Sequence, residues 1–172
     1  FSNSFTLKPK RNYYYRVYGE NLAGVRWASS TATFITPTTS PIVANVSASN
    51  VGVTVAMMGG NVICTGGLPT TVRIYWGQTN GGTDFAAWAH TNDLNIRNEG
   101  SFQWQATGLT KGTLYWYRCH GTNSVGGYWA VSSTNFTTLA DTDNDGMPDE
   151  WEDGYGLNSS NPGDANTDAD GD

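Results

Sequence analysis

Hydrophobic and polar residues alternate along much of this chain, which is the pattern of β-strands with one buried face. The runs are short and are separated by glycine-containing turns, among them Gly66–Gly67 and Asn80–Gly82. The clearest runs span Ala56–Val62, Val72–Trp76, Phe102–Ala106 and Tyr115–Cys119. About seven strands of this length, joined by such turns, predict a two-sheet β-sandwich.

The chain also repeats itself. Residues 7–36 align without a gap on residues 109–138, at an offset of 102 positions, and twelve of the thirty pairs are identical. Trp27, for example, falls on Trp129. A period near 100 residues is about the size of one immunoglobulin-like module. We therefore predict one complete module over residues 41–139.

Leu109, Tyr115 and Cys119 are spaced as at the E–F corner and strand F of fibronectin type III domains. Residues 1–138 resemble the fibronectin-III-like repeats of large secreted bacterial proteins. The resemblance implies an all-β, immunoglobulin/fibronectin-III-like sandwich in which the Tyr115 hydroxyl bonds to upstream backbone. It also implies that residues 1–37 are strands F and G of a first, partial copy.

An isolated pair of strands is marginal in water, so residues 1–37 need a covering partner. Four of their residues correspond to core-facing positions of the complete copy: Tyr13, Tyr15, Val17 and Phe34. We expect other chains, or other modules of the same protein, to complete this hairpin. The strand Tyr13–Tyr18 should then pair with backbone outside the segment.

Charge is distributed unevenly along the chain, whose net charge is −6. Residues 1–140 contain all nine Lys and Arg, whereas residues 141–172 contain eleven carboxylates and no base. Such an acidic block is either a solvated tail or a cation site. No basic stripe and no apolar run of about 18 residues occurs, so we predict neither a nucleic-acid partner nor a membrane span.

Residues 141–152 match the calcium loop D-x-[DN]-x-[DN]-G-x5-E at every position. Ca²⁺ takes roughly six to eight oxygen ligands, and alternate residues of a tight loop aim at one point. The predicted ligands are Asp141, Asp143, Asp145, the Met147 carbonyl, Asp149 (directly or through water) and Glu152. Magnesium is disfavoured because it keeps more of its water. The alternative is a disordered acidic tail.

A short exit helix is predicted over residues 148–153, ended by Gly154 or Gly156. No helix is predicted before the loop, so this is not a two-helix EF-hand. Residues 140–172 resemble the thrombospondin type 3 and dockerin-like segments, in which such loops follow one another. The resemblance agrees with a second, truncated loop opened by Asp168, Asp170 and Asp172. Three further residues could lend oxygens to either site, although the motif does not require them: Asn161, Asp164 and Asn166.

Cys64 and Cys119 both fall on inward strand positions, and either a disulfide or two buried thiols fits the pattern. Trp116, Arg118 and Trp129 fall on the outward face. They form either an aromatic–guanidinium stack or a platform for sugar rings.

Together these patterns predict a non-catalytic, secreted or cell-surface module of the adhesion type with structural Ca²⁺. No nucleophile motif, histidine pairing or carboxylate pair with a recognisable catalytic spacing occurs, so we predict no enzyme. The alternative function is a carbohydrate-binding accessory module of a secreted hydrolase, which would bind polysaccharide.

Overall fold

The computed structural model describes residues 3–166. Within them it contains twelve β-strands and one short α-helix, α1 (Asp149–Tyr155). The strands are β1 (Asn12–Tyr15), β2 (Tyr18–Asn21), β3 (Gly24–Trp27), β4 (Ala32–Ile35), β5 (Ile42–Ser49), β6 (Val55–Cys64), β7 (Thr70–Gly77), β8 (His90–Arg97), β9 (Gly100–Thr107), β10 (Leu114–Thr122), β11 (Gly127–Trp129) and β12 (Thr134–Thr137). No helix in this part of the chain is long and apolar enough to span a membrane.

The strands β5 to β12 form two antiparallel sheets, as the alternating pattern predicts. One sheet has the order β5–β6–β9. In the other, β8 pairs with β7 and β7 with β10, while β12 and β11 pair with successive halves of β10. The two sheets pack face to face, and this order is that of an immunoglobulin/fibronectin-III-like sandwich. The predicted fold class is confirmed.

The core lies between the two sheets and consists of the inward residues of each strand. Met58, Ile74 and Tyr117 are completely buried. Gly60 of β6 leaves room for a side chain of the opposite sheet, because a Cβ atom there would lie 3.0 Å from the Cys119 Sγ atom of β10. The predicted phases of β6, β7, β9 and β10 are therefore correct, because every second residue of these strands faces the opposite sheet.

The connection from β9 to β10 is held by a tyrosine. The Tyr115 hydroxyl accepts a hydrogen bond from the Thr110 backbone N–H at 3.0 Å, as the fibronectin resemblance implied. Thr138 joins this corner to the end of β12, since its hydroxyl donates to the Thr110 carbonyl at 2.6 Å and accepts from the Thr113 N–H at 2.9 Å. The corner thus fixes where the chain leaves the sandwich.

Residues 8–36, the partial copy of the repeat, form the same tyrosine corner. The Tyr13 hydroxyl accepts from the Lys8 N–H at 2.9 Å, and Thr36 donates to the Lys8 carbonyl at 2.7 Å. Tyr13 lies opposite Phe34, as Tyr115 lies opposite Phe136 in the complete copy. These bonds occupy equivalent positions in the repeat, so the sequence repeat is also a repeat of hydrogen bonding.

In the described part of the chain, β1 pairs with β4 and β2 with β3, and none of these strands pairs with the sandwich. The predicted ladder from Tyr13–Tyr18 to backbone outside the segment is thus not formed within residues 3–166. Pairing with another chain stays a prediction, as do the predicted boundaries of the three regions.

The two cysteines are free thiols. Cys119 is completely buried, and burial raises the pKa of its thiol to about 12. Its Sγ atom lies 3.6 Å from the Gly59 carbonyl oxygen, whereas the Cys64 sulfur accepts from the Gly66 N–H near the end of β6. Of the two alternatives, the structure contains two thiols, of which Cys119 is buried as predicted and Cys64 is only partly buried.

Candidate metal centre

The acidic loop that follows β12 is held in shape by its own aspartates. One carboxylate oxygen of Asp143 accepts from the Asp145 N–H at 3.3 Å, and one of Asp145 accepts from the Met147 N–H at 2.8 Å. Gly146 has φ 99°, a left-handed conformation that glycine adopts without strain. In both aspartates the other oxygen, Oδ2, is shielded from solvent and has no hydrogen-bond partner.

The helix α1 brings Glu152 to the same place. Pro148 occupies the N-cap position without a side-chain hydrogen bond, and the helix runs two residues past the predicted end at residue 153. It ends at Gly156, one of the two glycines predicted, in the left-handed conformation at φ 75°. Glu152 is completely buried, and neither of its carboxylate oxygens has a hydrogen-bond partner. A buried carboxylate without a partner is costly, so its position calls for a positive charge.

A fourth carboxylate comes from beyond the helix. Asp164 lies in a turn in which the Asn161 N–H donates to the Asn158 carbonyl at 2.8 Å. Its Oδ2 atom accepts from the Asn158 N–H at 2.9 Å, and its Oδ1 atom is shielded and has no partner. The sequence left Asp164 unassigned because nothing in its spacing links it to the twelve-residue loop.

These four carboxylates converge. Asp143, Asp145, Glu152 and Asp164 each offer an oxygen, and the four atoms lie within 4.8 Å of one another. Burial, and then the charges of neighbouring carboxylates, raise the pKa of Glu152 to about 7. Oxygen donors of this kind suit a hard cation such as Ca²⁺. The shielded oxygens without partners fit such an ion as ligands.

The remaining predicted ligands lie at the edge of this cluster. Asp141 is buried, and its Oδ1 atom accepts from the Asn144 N–H at 2.7 Å. Both oxygens of Asp149 bind Thr142, at 2.7 Å to its N–H and 2.7 Å to its hydroxyl. The Met147 residue contributes the amide that orients Asp145. The structure therefore gathers Asp143, Asp145 and Glu152, and gives Asp141 and Asp149 bonds within the loop.

The predicted second loop lies outside the described residues. Its three aspartates, Asp168, Asp170 and Asp172, fall after residue 166. Their role as ligands stays a prediction.

One base from the sandwich contacts the loop. The Lys111 ammonium donates to the Asp141 carbonyl and, at 2.6 Å, to the Asn144 side-chain oxygen. It also lies 3.5 Å from the Asp141 carboxylate. Lys111 belongs to the β9–β10 connection, so the loop is fastened to the tyrosine corner. Sequence reasoning missed this contact because it depends on the tertiary approach of two connections.

No protein-family model matches the chain, and no curated protein matches it. Among solved structures, it is similar to the sensor domain of the anti-sigma factor RsgI4 in Pseudobacteroides cellulosolvens, with 16% identity, a TM-score of 0.42, and coverage of 58% of this chain and 95% of that chain. It is similar to the FN1–FN3 domains of chicken CNTN1, with 15% identity, a TM-score of 0.46, and coverage of 77% and 45%. It is also similar to domains A168–A170 of titin, with 14% identity, a TM-score of 0.38, and coverage of 77% and 42%.

The outward aromatic residues of the second sheet form a cluster of their own. The Trp129 ring lies 4.9 Å from Tyr75, 4.7 Å from Phe85 and 4.8 Å from His120, measured between ring centroids. The Arg118 guanidinium lies 5.9 Å from the Trp129 ring centroid, so the predicted cation–π stack is present for this pair. These neighbours cover part of Trp129, which is half-buried. Polysaccharide binding stays a prediction.

Proposed function

We propose that this chain is a non-catalytic, secreted or cell-surface module of the adhesion or spacer type, in which Ca²⁺ bound at residues 143–164 stiffens the segment after the sandwich. The role is structural. Extracellular modules bind calcium with dissociation constants of about 10⁻⁴–10⁻³ M, which is of the order of external calcium. Such a site would be largely filled outside the cell, so it would hold the segment in one shape and would not act as a switch.

The observation that supports this proposal is the environment of Glu152. It is the only fully buried side chain of α1, and both of its oxygens lack partners within the described residues. Its neighbours in the cluster are three more carboxylates, which repel it. A divalent cation at the centre would satisfy these oxygens and remove the repulsion.

Isothermal titration of the full chain with Ca²⁺ tests the proposal. We expect binding with a dissociation constant of about 10⁻⁴–10⁻³ M. Glu152→Gln, which keeps the shape and removes the charge, should weaken it by about tenfold or more. Asp153→Asn is the matched control, because Asp153 is exposed on the same helix. The absence of binding to the unaltered chain, or equal binding by Glu152→Gln, would contradict the proposal.

We propose further that another chain covers the apolar face of residues 1–37. In the complete copy, Tyr117 and Cys119 are fully buried against the sheet β5–β6–β9. Their counterparts Tyr15 and Val17 are 54% and 62% exposed, although the backbone around them repeats the same hydrogen bonds. A sheet of the β5–β6–β9 kind would therefore fit this face.

Light scattering during size-exclusion chromatography tests for this partner. We expect the chain to self-associate as concentration rises, because the exposed face is apolar. Val17→Lys should abolish the association, whereas Tyr14→Lys should leave it unchanged, because its counterpart Trp116 lies on the outward face of β10. A chain that stays monomeric at high concentration would argue against a partner that is another copy.

A further inference from the structure

The turn that contains Asp164 lies outside the twelve-residue calcium loop, yet it contributes to the same cluster. From Gly156 the chain reverses direction, and the Leu157 N–H donates to the Glu152 carbonyl at 2.9 Å. Two further turns bring the chain back, with the Asp164 N–H donating to the Asn161 carbonyl at 3.2 Å. The chain from Glu152 to Asp164 thus forms a returning loop, distinct from the predicted second calcium loop, and its end reaches the same group of oxygens.

We propose that Asp164 is a ligand of the calcium ion. One ion would then bind both the twelve-residue loop and the returning loop, and it would order the chain as far as residue 164. This inference rests on the calcium centre proposed above and adds to it a ligand that the loop motif does not contain. The site is then a composite of the loop, the helix α1 and the returning turn.

The geometry of Asp164 is that of an oriented ligand. The Asn158 N–H binds its Oδ2 atom and so fixes the rotation of the carboxylate. The Oδ1 atom that remains is shielded, has no partner and belongs to the group within 4.8 Å. Asp143 and Asp145 are arranged in the same way, with one oxygen on a backbone N–H and the other free.

The completely buried Glu152 supplies an observation independent of Asp164. Its two carboxylate oxygens have no partner, which favours a cation here whatever the role of Asp164. Asp164 is the fourth carboxylate of the group that surrounds this position. By contrast, neither Asp141 nor Asp149 belongs to the group of four converging carboxylates. Both oxygens of Asp149 accept hydrogen bonds from Thr142, whereas Asp164 has one oxygen without a partner. Asp164 is therefore better placed than Asp149 to bind the ion directly.

The test compares the calcium affinities of the full chain with Asp164→Asn, Asp164→Ala and the control Asp153→Asn. Losing one charged ligand should weaken binding by about tenfold or more, whereas the control should change it less than about twofold. A second measurement uses Tb³⁺, a hard cation that stands in for Ca²⁺. Its luminescence lifetimes in H₂O and D₂O count bound water, and Asp164→Ala should add about one water molecule to the ion.

The outcomes separate the two proposals. If the unaltered chain binds calcium but Asp164→Asn binds as well as the control, or the water count stays the same, Asp164 is not a ligand although the calcium centre stands. If the unaltered chain binds no calcium, both proposals fail. A far-ultraviolet circular dichroism spectrum shows that each variant retains the sandwich, so a loss of affinity is not mistaken for unfolding.

Discussion

Removing calcium should unfold the segment after the sandwich and leave the sandwich intact. The reason lies in what the segment buries. The two aromatic residues of α1, Trp151 and Tyr155, are 45% and 65% exposed, while the side chain at its centre is the carboxylate of Glu152. Without a cation, this centre adds repulsion and no apolar burial, so it cannot offset the entropy of ordering the chain. The sandwich keeps its own apolar core.

The size of the effect follows from linkage between binding and folding. With a dissociation constant of about 10⁻⁴–10⁻³ M, about 10 mM calcium stabilises the bound segment by about 1.4–2.7 kcal/mol. The equilibrium for local opening of residues 141–164 should therefore change by about ten- to hundredfold. None of the four converging carboxylates lies on a strand of the sandwich, so the opening of these strands should not change.

Hydrogen exchange followed by mass spectrometry measures this difference. We expect peptides from residues 141–164 to exchange about ten to a hundred times more slowly with calcium than with a chelator. Peptides from β6 and β10 should exchange at equal rates in both conditions. Equal protection of α1 in the two conditions would refute the reasoning, and Glu152→Gln, which binds calcium more weakly, should show a smaller difference between the two conditions than the unaltered chain.

Three further predictions concern the sandwich and its contact with the acidic loop. Tyr115→Phe should lower the free energy of unfolding by about 1–2 kcal/mol in urea denaturation, because the Thr110 N–H loses its partner, whereas Tyr14→Phe should have no effect. Burial, and then the charge of Arg73, lower the pKa of His120, so the unfolded chain binds this proton more readily. Stability should therefore fall as pH drops below about 6.5, and His120→Gln should flatten that dependence in denaturation series from pH 5 to 8. Lys111→Met should speed amide exchange in residues 141–145 by about fivefold, equivalent to about 1 kcal/mol for a partly exposed charged hydrogen bond, and an unchanged rate would show that Lys111 does not hold the loop.

Features that depend on local spacing could be predicted from the sequence. The alternation of Val72, Ile74 and Trp76 gave the correct inward face of β7, because strand side chains alternate with a period of two. The helix α1 ended at Gly156, one of the two glycines expected to end it, because a left-handed residue favours glycine. The convergence of Asp143, Asp145 and Glu152 followed from the loop spacing in the same way.

Features that depend on one connection meeting another could not be predicted. Asp164 reaches the cluster only because the chain turns back after α1, and no periodic pattern records such a turn. Lys111 meets the loop because the tyrosine corner lies beside the end of β12. Phe85, in a connection between β7 and β8, folds over Trp129 and His120. Each contact joins residues that are distant in sequence and lie outside regular alternation.

The fastening of the acidic loop to the tyrosine corner has a mechanical consequence. The Leu139 N–H donates to the Gly52 carbonyl at 3.1 Å and the Gly112 N–H donates to the Leu139 carbonyl at 3.0 Å, just before the contacts of Lys111 with the loop. A pulling force applied beyond residue 164 would reach residues 141–164 and the proposed calcium ion first, then these contacts, and only afterwards β12. Each residue released from the loops lengthens the tether by about 3.4 Å. The segment would then yield under tension before the sandwich does, and it would recover when calcium binds again.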